Sequence, residues 1–97
     1  MNMVGKTVLI LGASENEIGL VERAHHFGLR VIVTDNHSDW MEAPAKLKAD
    51  IAWNVSWSDI DALEVLCREN KVDGVVAGYS EFRVENQIKL CQRLGLH

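Results

Sequence analysis

The sequence lacks the features that mark several large classes of protein. Its 97 residues carry a formal net charge of -4 and show no basic stripe, which argues against a nucleic-acid partner. No apolar run approaches the roughly 18 residues that a membrane span needs. The first residues lead into a predicted strand without the basic and apolar regions of a signal peptide. We therefore expect one small cytoplasmic domain over residues 1–97, with neither nucleic-acid nor membrane partners.

Patterns that would indicate a metal site or a disulfide are also missing. Neither Cys67 nor Cys91 has a second cysteine or a histidine at ligand spacing, and a disulfide is not expected in a cytoplasmic chain. Both are interpreted as small buried hydrophobic residues of helices. The adjacent His25 and His26 point in different directions from a helix, so they cannot chelate one metal together. No metal site is predicted.

Two glycine-rich signatures are absent after the first predicted strand. The segment Gly12-Ala-Ser-Glu-Asn-Glu-Ile-Gly19 lacks the three closely spaced glycines of the dinucleotide fingerprint, and the phosphate-binding P-loop pattern is missing as well. No histidine or carboxylate spacing requires a nucleophile and base, so no catalytic residue is assigned. What remains is a tight turn whose backbone amides could hold an anion or a carboxylate. The alternative is that Gly12 only lets the chain turn and Ser14 only caps the helix.

The pattern that is present is an alternation of strands and helices. Apolar and β-branched runs predict buried strands at 8–11 and 31–34, and alternation over 51–55 predicts a less buried one. Residues 73–78 are predicted to form the fourth strand. The order β-α-β-turn-β-α-β-α predicts an α/β domain, Rossmann-like and three-layered, with a mainly parallel four-stranded sheet. Apolar residues at helical spacing predict the inner faces of the helices: Leu20, Val21, Ala24 and Phe27, then Ile60, Leu63, Leu66 and Cys67, then Val84, Ile88, Cys91 and Leu94.

Capping signals mark the helix ends. Ser14 to Glu17 fits a capping box, residues 58–61 give a second capping signal, and Ser80 can cap the last helix. Gly28 and Gly95 are predicted to end their helices in the left-handed conformation.

Polar residues follow three of the predicted strands. Because parallel sheets bind ligands at the carboxyl ends of their strands, we expect a site formed by 12–16, 35–37 and 78–83. Asp35 could accept hydrogen bonds from ribose hydroxyls, or it could start a turn with Asn36.

Two charged residues lie at the predicted start of the last helix. Glu81 could bind an amine or a hydroxyl, and Arg83 could pair with a carboxylate or a phosphate. The alternative is a capped helix start with solvated charges.

Five stretches of the chain, in this order and spacing, resemble the N-terminal (pre-ATP-grasp) domain of ATP-grasp carboxylate–amine ligases. The group to which it is most similar contains carbamoyl-phosphate synthase large subunit and phosphoribosylglycinamide synthetase. The stretches cover nearly the whole chain: residues 8–14, 24–35, 43–50, 72–81 and 91–96.

The resemblance implies a role in a larger enzyme. In that family, ATP and Mg²⁺ are held mainly by central and C-terminal lobes, and a carboxylate is phosphorylated and then attacked by an amine. The sequence contains no such lobes, so we expect a part of a ligase that is inactive alone, packs against those lobes and could form a homodimer through exposed apolar surface. The residues that the resemblance and their positions place toward a small-molecule carboxylate or amine substrate are Gly12, Ala13, Ser14, Asp35, Asn36, Ser80, Glu81 and Arg83.

The sequence leaves one other function class open and argues against another. A free-standing Rossmann-like nucleotide- or dinucleotide-binding module stays open, although the broken glycine fingerprint argues against it. A phospho-acceptor receiver would need an acidic cluster at the end of the first strand, where Gly12 and Ala13 stand instead.

Overall fold

A computed structural model describes residues 4–39, 41–77 and 81–96, and it confirms the predicted parallel α/β architecture. Strands β1 (Thr7–Leu11), β2 (Arg30–Thr34), β3 (Ile51–Trp53) and β4 (Gly74–Ala77) form one sheet in the order β3-β2-β1-β4. All three strand pairs are parallel. β3 is shorter than its alternating pattern suggested, because pairing with β2 ends at Trp53.

Helices cover both faces of this sheet. Helix α1 (Ile18–His26) packs on one face, and α2 (Ile60–Glu69) and α3 (Glu81–Leu94) pack on the other. Short 3-10 turns at Glu15–Glu17 and Pro44–Leu47 complete the regular structure of the described ranges. The result is the three-layer arrangement that the sequence predicts.

The continuous apolar run of β1 is explained by burial on both faces. Val8 and Ile10 point to the α1 side, whereas Leu9 and Leu11 point to the side of α2 and α3. None of these four side chains is more than 7% exposed. Successive residues of a strand face opposite sides of the sheet, so a strand covered on both sides has no position for a polar residue.

Two aspartates fix the register at the amino ends of the strands. Asp50 immediately precedes β3, donates its N–H to Val31 O (2.9 Å) and accepts the Val31 N–H at Oδ2 (2.7 Å). Asp73 immediately precedes β4 and forms the same pair of bonds with Thr7, both 2.8 Å long. Each carboxylate satisfies a strand-end N–H that would otherwise need water.

The capping predictions are partly wrong. Ser14 makes no side-chain bond to a helix N–H; its hydroxyl instead donates to the Glu17 carboxylate. At α2 the cap is Asp59, which accepts the Ala62 N–H at 3.3 Å. The predicted cap Ser80 lies outside the described residues.

The helix ends agree better with the sequence. Gly28 and Gly95 have φ values of +80° and +74°, as their positions after the helices predicted.

The predicted inner faces of two helices also need correction. Phe27, Val84 and Ile88 are 50%, 40% and 52% exposed, whereas Leu90 is fully buried. Helix α3 packs against both α2 and β4. In this position Leu90 faces the core, and Val84 and Ile88 do not.

The prediction that both cysteines are buried is correct for Cys67 and only partly correct for Cys91. Cys67 is buried and Cys91 is half-buried, and neither is in a disulfide. Burial raises the pKa of the Cys67 thiol to about 12, and it raises the pKa of Cys91 as well.

The described ranges contain neither a candidate membrane span nor a cluster of metal ligands. None of their helices combines the length and the apolar character needed to cross a bilayer. Their His, Cys, Asp and Glu side chains also form no group of three or more that could hold a metal ion.

Candidate functional site

The first turn after β1 forms one wall of the candidate site. Gly12 has a φ of +112° and donates its N–H to Thr34 O at 2.9 Å, which ties the turn to the end of β2. Ala13 is fully buried, and its carbonyl accepts the Ala45 N–H at 3.0 Å. Ser14 is half-buried and is the first side chain of this turn with a polar group.

An ion pair joins this turn to the start of α3. The Glu17 residue is 1% exposed, and its carboxylate accepts hydrogen bonds from Ser14 Oγ and from Arg83 Nη1. The Arg83 guanidinium carbon also lies 5.5 Å from the centre of the Trp57 ring, within the range of a cation–π interaction. The Arg83 Nε is buried and has no hydrogen-bond partner among the described residues.

Gly12 leaves room for this pair beside the backbone. A Cβ atom at that position would lie 2.6 Å from Arg83 Nη1, closer than real Cβ contacts come. The positive φ of Gly12 is a second obstacle to any other residue. The glycine therefore lets the Glu17 and Arg83 side chains lie close to the backbone of the turn.

A second cluster lies at the end of β2. Asp35 is 7% exposed, and its Oδ1 accepts the His37 N–H at 2.9 Å and lies 2.5 Å from His37 Nδ1. On the other side of the imidazole, Nε2 lies 3.3 Å from Glu42 Oε2. Asp35 therefore starts a local turn, as one of the two sequence interpretations predicted. Asn36, next to it, is exposed.

The Lys46 side chain fixes the loop after β2 through hydrogen bonds. Its ammonium group donates to Asp35 O at 2.9 Å, to Asn54 Oδ1 at 2.7 Å and to His37 O. Partial burial lowers the pKa of Lys46, and the nearby Asp35 carboxylate opposes this effect. The backbone of the loop is therefore fixed by a cation that has lost some of its hydration.

The structure brings some of the predicted site residues together. Ser14 and Arg83 meet through Glu17, and Asp35 lies at the end of the neighbouring strand, with Asn36 exposed next to it. Ser80 and the Glu81 side chain lie outside the described residues.

Sequence reasoning missed the roles of Glu17 and Trp57. The Ser14-x-x-Glu17 spacing does bring these two side chains together, but it was assigned to a capping box, and nothing in the sequence links Trp57 to Arg83.

Comparison with known proteins gives matches in structure only. No protein-family model matches the sequence, and no curated protein matches it. Phosphoribosylglycinamide synthetase from Anaerococcus prevotii superposes with a TM-score of 0.80 at 23% identity, over 96% of this chain and 23% of that one. This is the fold that the sequence resemblance predicted.

Two further solved structures share the fold. N5-carboxyaminoimidazole synthetase from Staphylococcus aureus, complexed with ADP, has a TM-score of 0.72 at 21% identity over 95% of this chain and 24% of its own. The second is the biotin carboxylase domain of Hydrogenobacter thermophilus 2-oxoglutarate carboxylase, a dimer in complex with MgADP, ADP and bicarbonate. It has a TM-score of 0.78 at 20% identity, over 96% of this chain and 22% of its own. All three proteins are ATP-grasp ligases, and this chain spans about a quarter of their length.

Proposed function

We propose that this chain is the substrate-side domain of an ATP-dependent ligase, which activates a carboxylate as an acyl phosphate for attack by an amine. The observation that supports it most is the fold shared with three such ligases over 95–96% of the chain. The charged crevice at the carboxyl ends of β1 and β4 is where a ligand of a parallel sheet is expected.

In this proposal the domain binds substrate and leaves the nucleotide to other lobes. Arg83 supplies the positive charge for a carboxylate or phosphate of the substrate, and Ser14 supplies a hydroxyl. ATP and Mg²⁺ would be held by ATP-grasp lobes in the same enzyme, in keeping with the ADP and MgADP of the solved relatives. The other residues proposed to face the substrate are Gly12, Ala13, Asp35, Asn36, Ser80 and Glu81.

The proposal is tested by the reading frame beyond the codon for His97 and by turnover. We expect the frame to continue into ATP-grasp lobes, and we expect the longer protein, but not residues 1–97 alone, to form ADP from ATP when a carboxylate and an amine are supplied. In the longer protein, Arg83→Met should raise the KM for the carboxylate substrate more than the KM for ATP. A stop codon after His97, or ATP turnover by pure residues 1–97, would contradict the proposal.

The second candidate is a free-standing module that binds a nucleotide or dinucleotide. It is favoured by Asp35, a buried carboxylate at the end of β2, where ribose hydroxyls are bound in nucleotide-binding sheets. A titration of residues 1–97 that follows tryptophan fluorescence separates the two candidates. Saturable binding of NAD(P) at micromolar concentration would favour the module.

A further inference from the structure

The candidate site lies between the carboxyl ends of β1 and β4, where the strand order of the sheet reverses. The helix that follows β1 lies on one face of the sheet, and the helix that follows β4 lies on the other. In open parallel sheets, a ligand usually binds at the carboxyl ends of two neighbouring strands whose following helices lie on opposite faces.

A side chain of the protein itself fills this crevice. The carboxylate of Glu17 lies over Gly12 and accepts hydrogen bonds from two donors that reach it from different parts of the chain, Ser14 Oγ and Arg83 Nη1. Two donors that converge on one carboxylate have the arrangement of an oxyanion-binding site. Glu17 also directly precedes α1, and Arg83 is the third residue of α3, so the amino ends of two helices lie beside this carboxylate.

The Arg83 side chain is only partly enclosed and not fully satisfied by Glu17. Its side chain is 22% exposed, and its Nε is buried without a partner among the described residues. The Arg83 guanidinium carbon also lies over the Trp57 ring, 5.5 Å from its centre, and this contact helps to fix the position of the group.

We propose that this crevice is a binding site for an anionic oxygen group, a carboxylate or a phosphate, and that Glu17 occupies it as an internal substitute that the ligand displaces. The inference deepens the proposed function and rests on it for the identity of the ligand as substrate. Ser14 and Arg83 then bind the ligand with the same two donors that now bind Glu17. The strength of binding is set by competition with the Glu17 carboxylate.

The test removes the competing charge and asks whether free anions bind. Glu17→Gln is compared with the wild type and with Glu15→Gln, a matched change of charge at an exposed position of the same turn. Inorganic phosphate and acetate are titrated separately against sodium chloride of equal ionic strength, with tryptophan fluorescence and the melting temperature as readouts. We expect Glu17→Gln to bind one or both anions at least about tenfold more tightly than the other two proteins, because the nearby negative charge is gone. Adding Arg83→Gln should abolish the gain.

The outcomes separate this proposal from a purely structural role for Glu17. If Glu17→Gln folds and responds to phosphate and acetate no more than Glu15→Gln does, the proposal is overturned. If Glu17→Gln does not fold, Glu17→Asp withdraws the carboxylate by one methylene; a gain in anion binding there supports the proposal, and no gain overturns it. A gain with acetate alone indicates a carboxylate ligand, and a gain with phosphate alone indicates a phosphate ligand. Because free anions are the probes, the result is independent of whether the longer protein shows ligase activity.

Discussion

Glu17 and Arg83 lie 66 positions apart in sequence and form an ion pair directly over the backbone of Gly12. The pair joins the turn after β1 to the first turn of α3, so it holds together the two segments that border the candidate site. Its carboxylate is almost completely buried, and a buried charge without its partner is costly. The geometry of the site therefore depends on a glycine that leaves room for the pair.

Replacing Gly12 with alanine should destabilise the protein. The added Cβ meets Arg83 Nη1 at 2.6 Å, and the φ of +112° is unfavourable for any residue with a Cβ. We expect the free energy of unfolding to fall by about 1–2 kcal/mol, mainly from backbone strain, because the flexible ends of the Glu17 and Arg83 side chains can shift to admit the Cβ. Urea denaturation measures the change.

Gly19 provides the matched control for this change. It lies in α1, and a Cβ there meets nothing within 4 Å. Gly19→Ala should raise stability by about 0.5–1 kcal/mol, because alanine favours the helix. If the two substitutions change the free energy of unfolding equally, neither the positive φ of Gly12 nor the side chains around it disfavour a Cβ, and the prediction is wrong.

The stability of the protein should depend on the ionisation of Asp50 at acid pH. The Val31 N–H, and after it His25, hold the pKa of the Asp50 carboxyl below its usual value. The folded state therefore favours the ionised carboxylate. The stabilisation is present above the pKa of the unfolded chain, and it is lost as the pH falls through the lower pKa of the folded state.

Comparison of wild type and Asp50→Asn by urea denaturation between about pH 2 and 6 tests this sign, in a range where histidine is mostly protonated. The stability advantage of the wild type should shrink as the pH falls. Glu22→Gln, a change at an exposed carboxylate of α1, gives the background. An advantage that stays constant or grows toward low pH would mean that the Val31 bond does not favour the ionised form.

Much of the fold could be predicted because burial on two faces leaves a clear pattern. The run from Val8 to Leu11 has no polar position, and this pattern indicates a central strand of a parallel sheet. The faces of α3 could not be predicted from spacing alone. Val84 and Ile88 share helical spacing with Cys91, but Leu90 on a different stripe is the residue buried between α2 and β4.

The candidate site was predictable in position but less so in detail. Asp35 and its turn follow from local chemistry, because an aspartate at a strand end commonly binds the N–H two residues later. The partner of Glu17 does not follow from local chemistry. Arg83 reaches it only after β4 pairs with β1, so the contact is a product of the sheet order.

The buried thiol should be unreactive in the folded protein. With a pKa of about 12, Cys67 has a thiolate fraction on the order of one in ten thousand at pH 8, and thiolate is the reactive form. We expect modification by a disulfide reagent to be limited by unfolding at Cys67 and to become fast in denaturant. Cys91→Ser isolates the Cys67 signal. Rapid labelling of that variant without denaturant would contradict this prediction.

The burial pattern of α3 predicts a large loss of stability at one apolar position and a small change at another. Leu90 is fully buried between the sheet and α2, so Leu90→Ala should lower the free energy of unfolding by about 2–5 kcal/mol through lost contacts and a cavity. Ile88 is 52% exposed, so Ile88→Ala should change stability by less than about 0.5–1 kcal/mol. Urea denaturation of the two variants at one pH makes the comparison direct. A larger loss for Ile88→Ala would restore the helix face predicted from sequence and would mean that α3 packs through Val84 and Ile88.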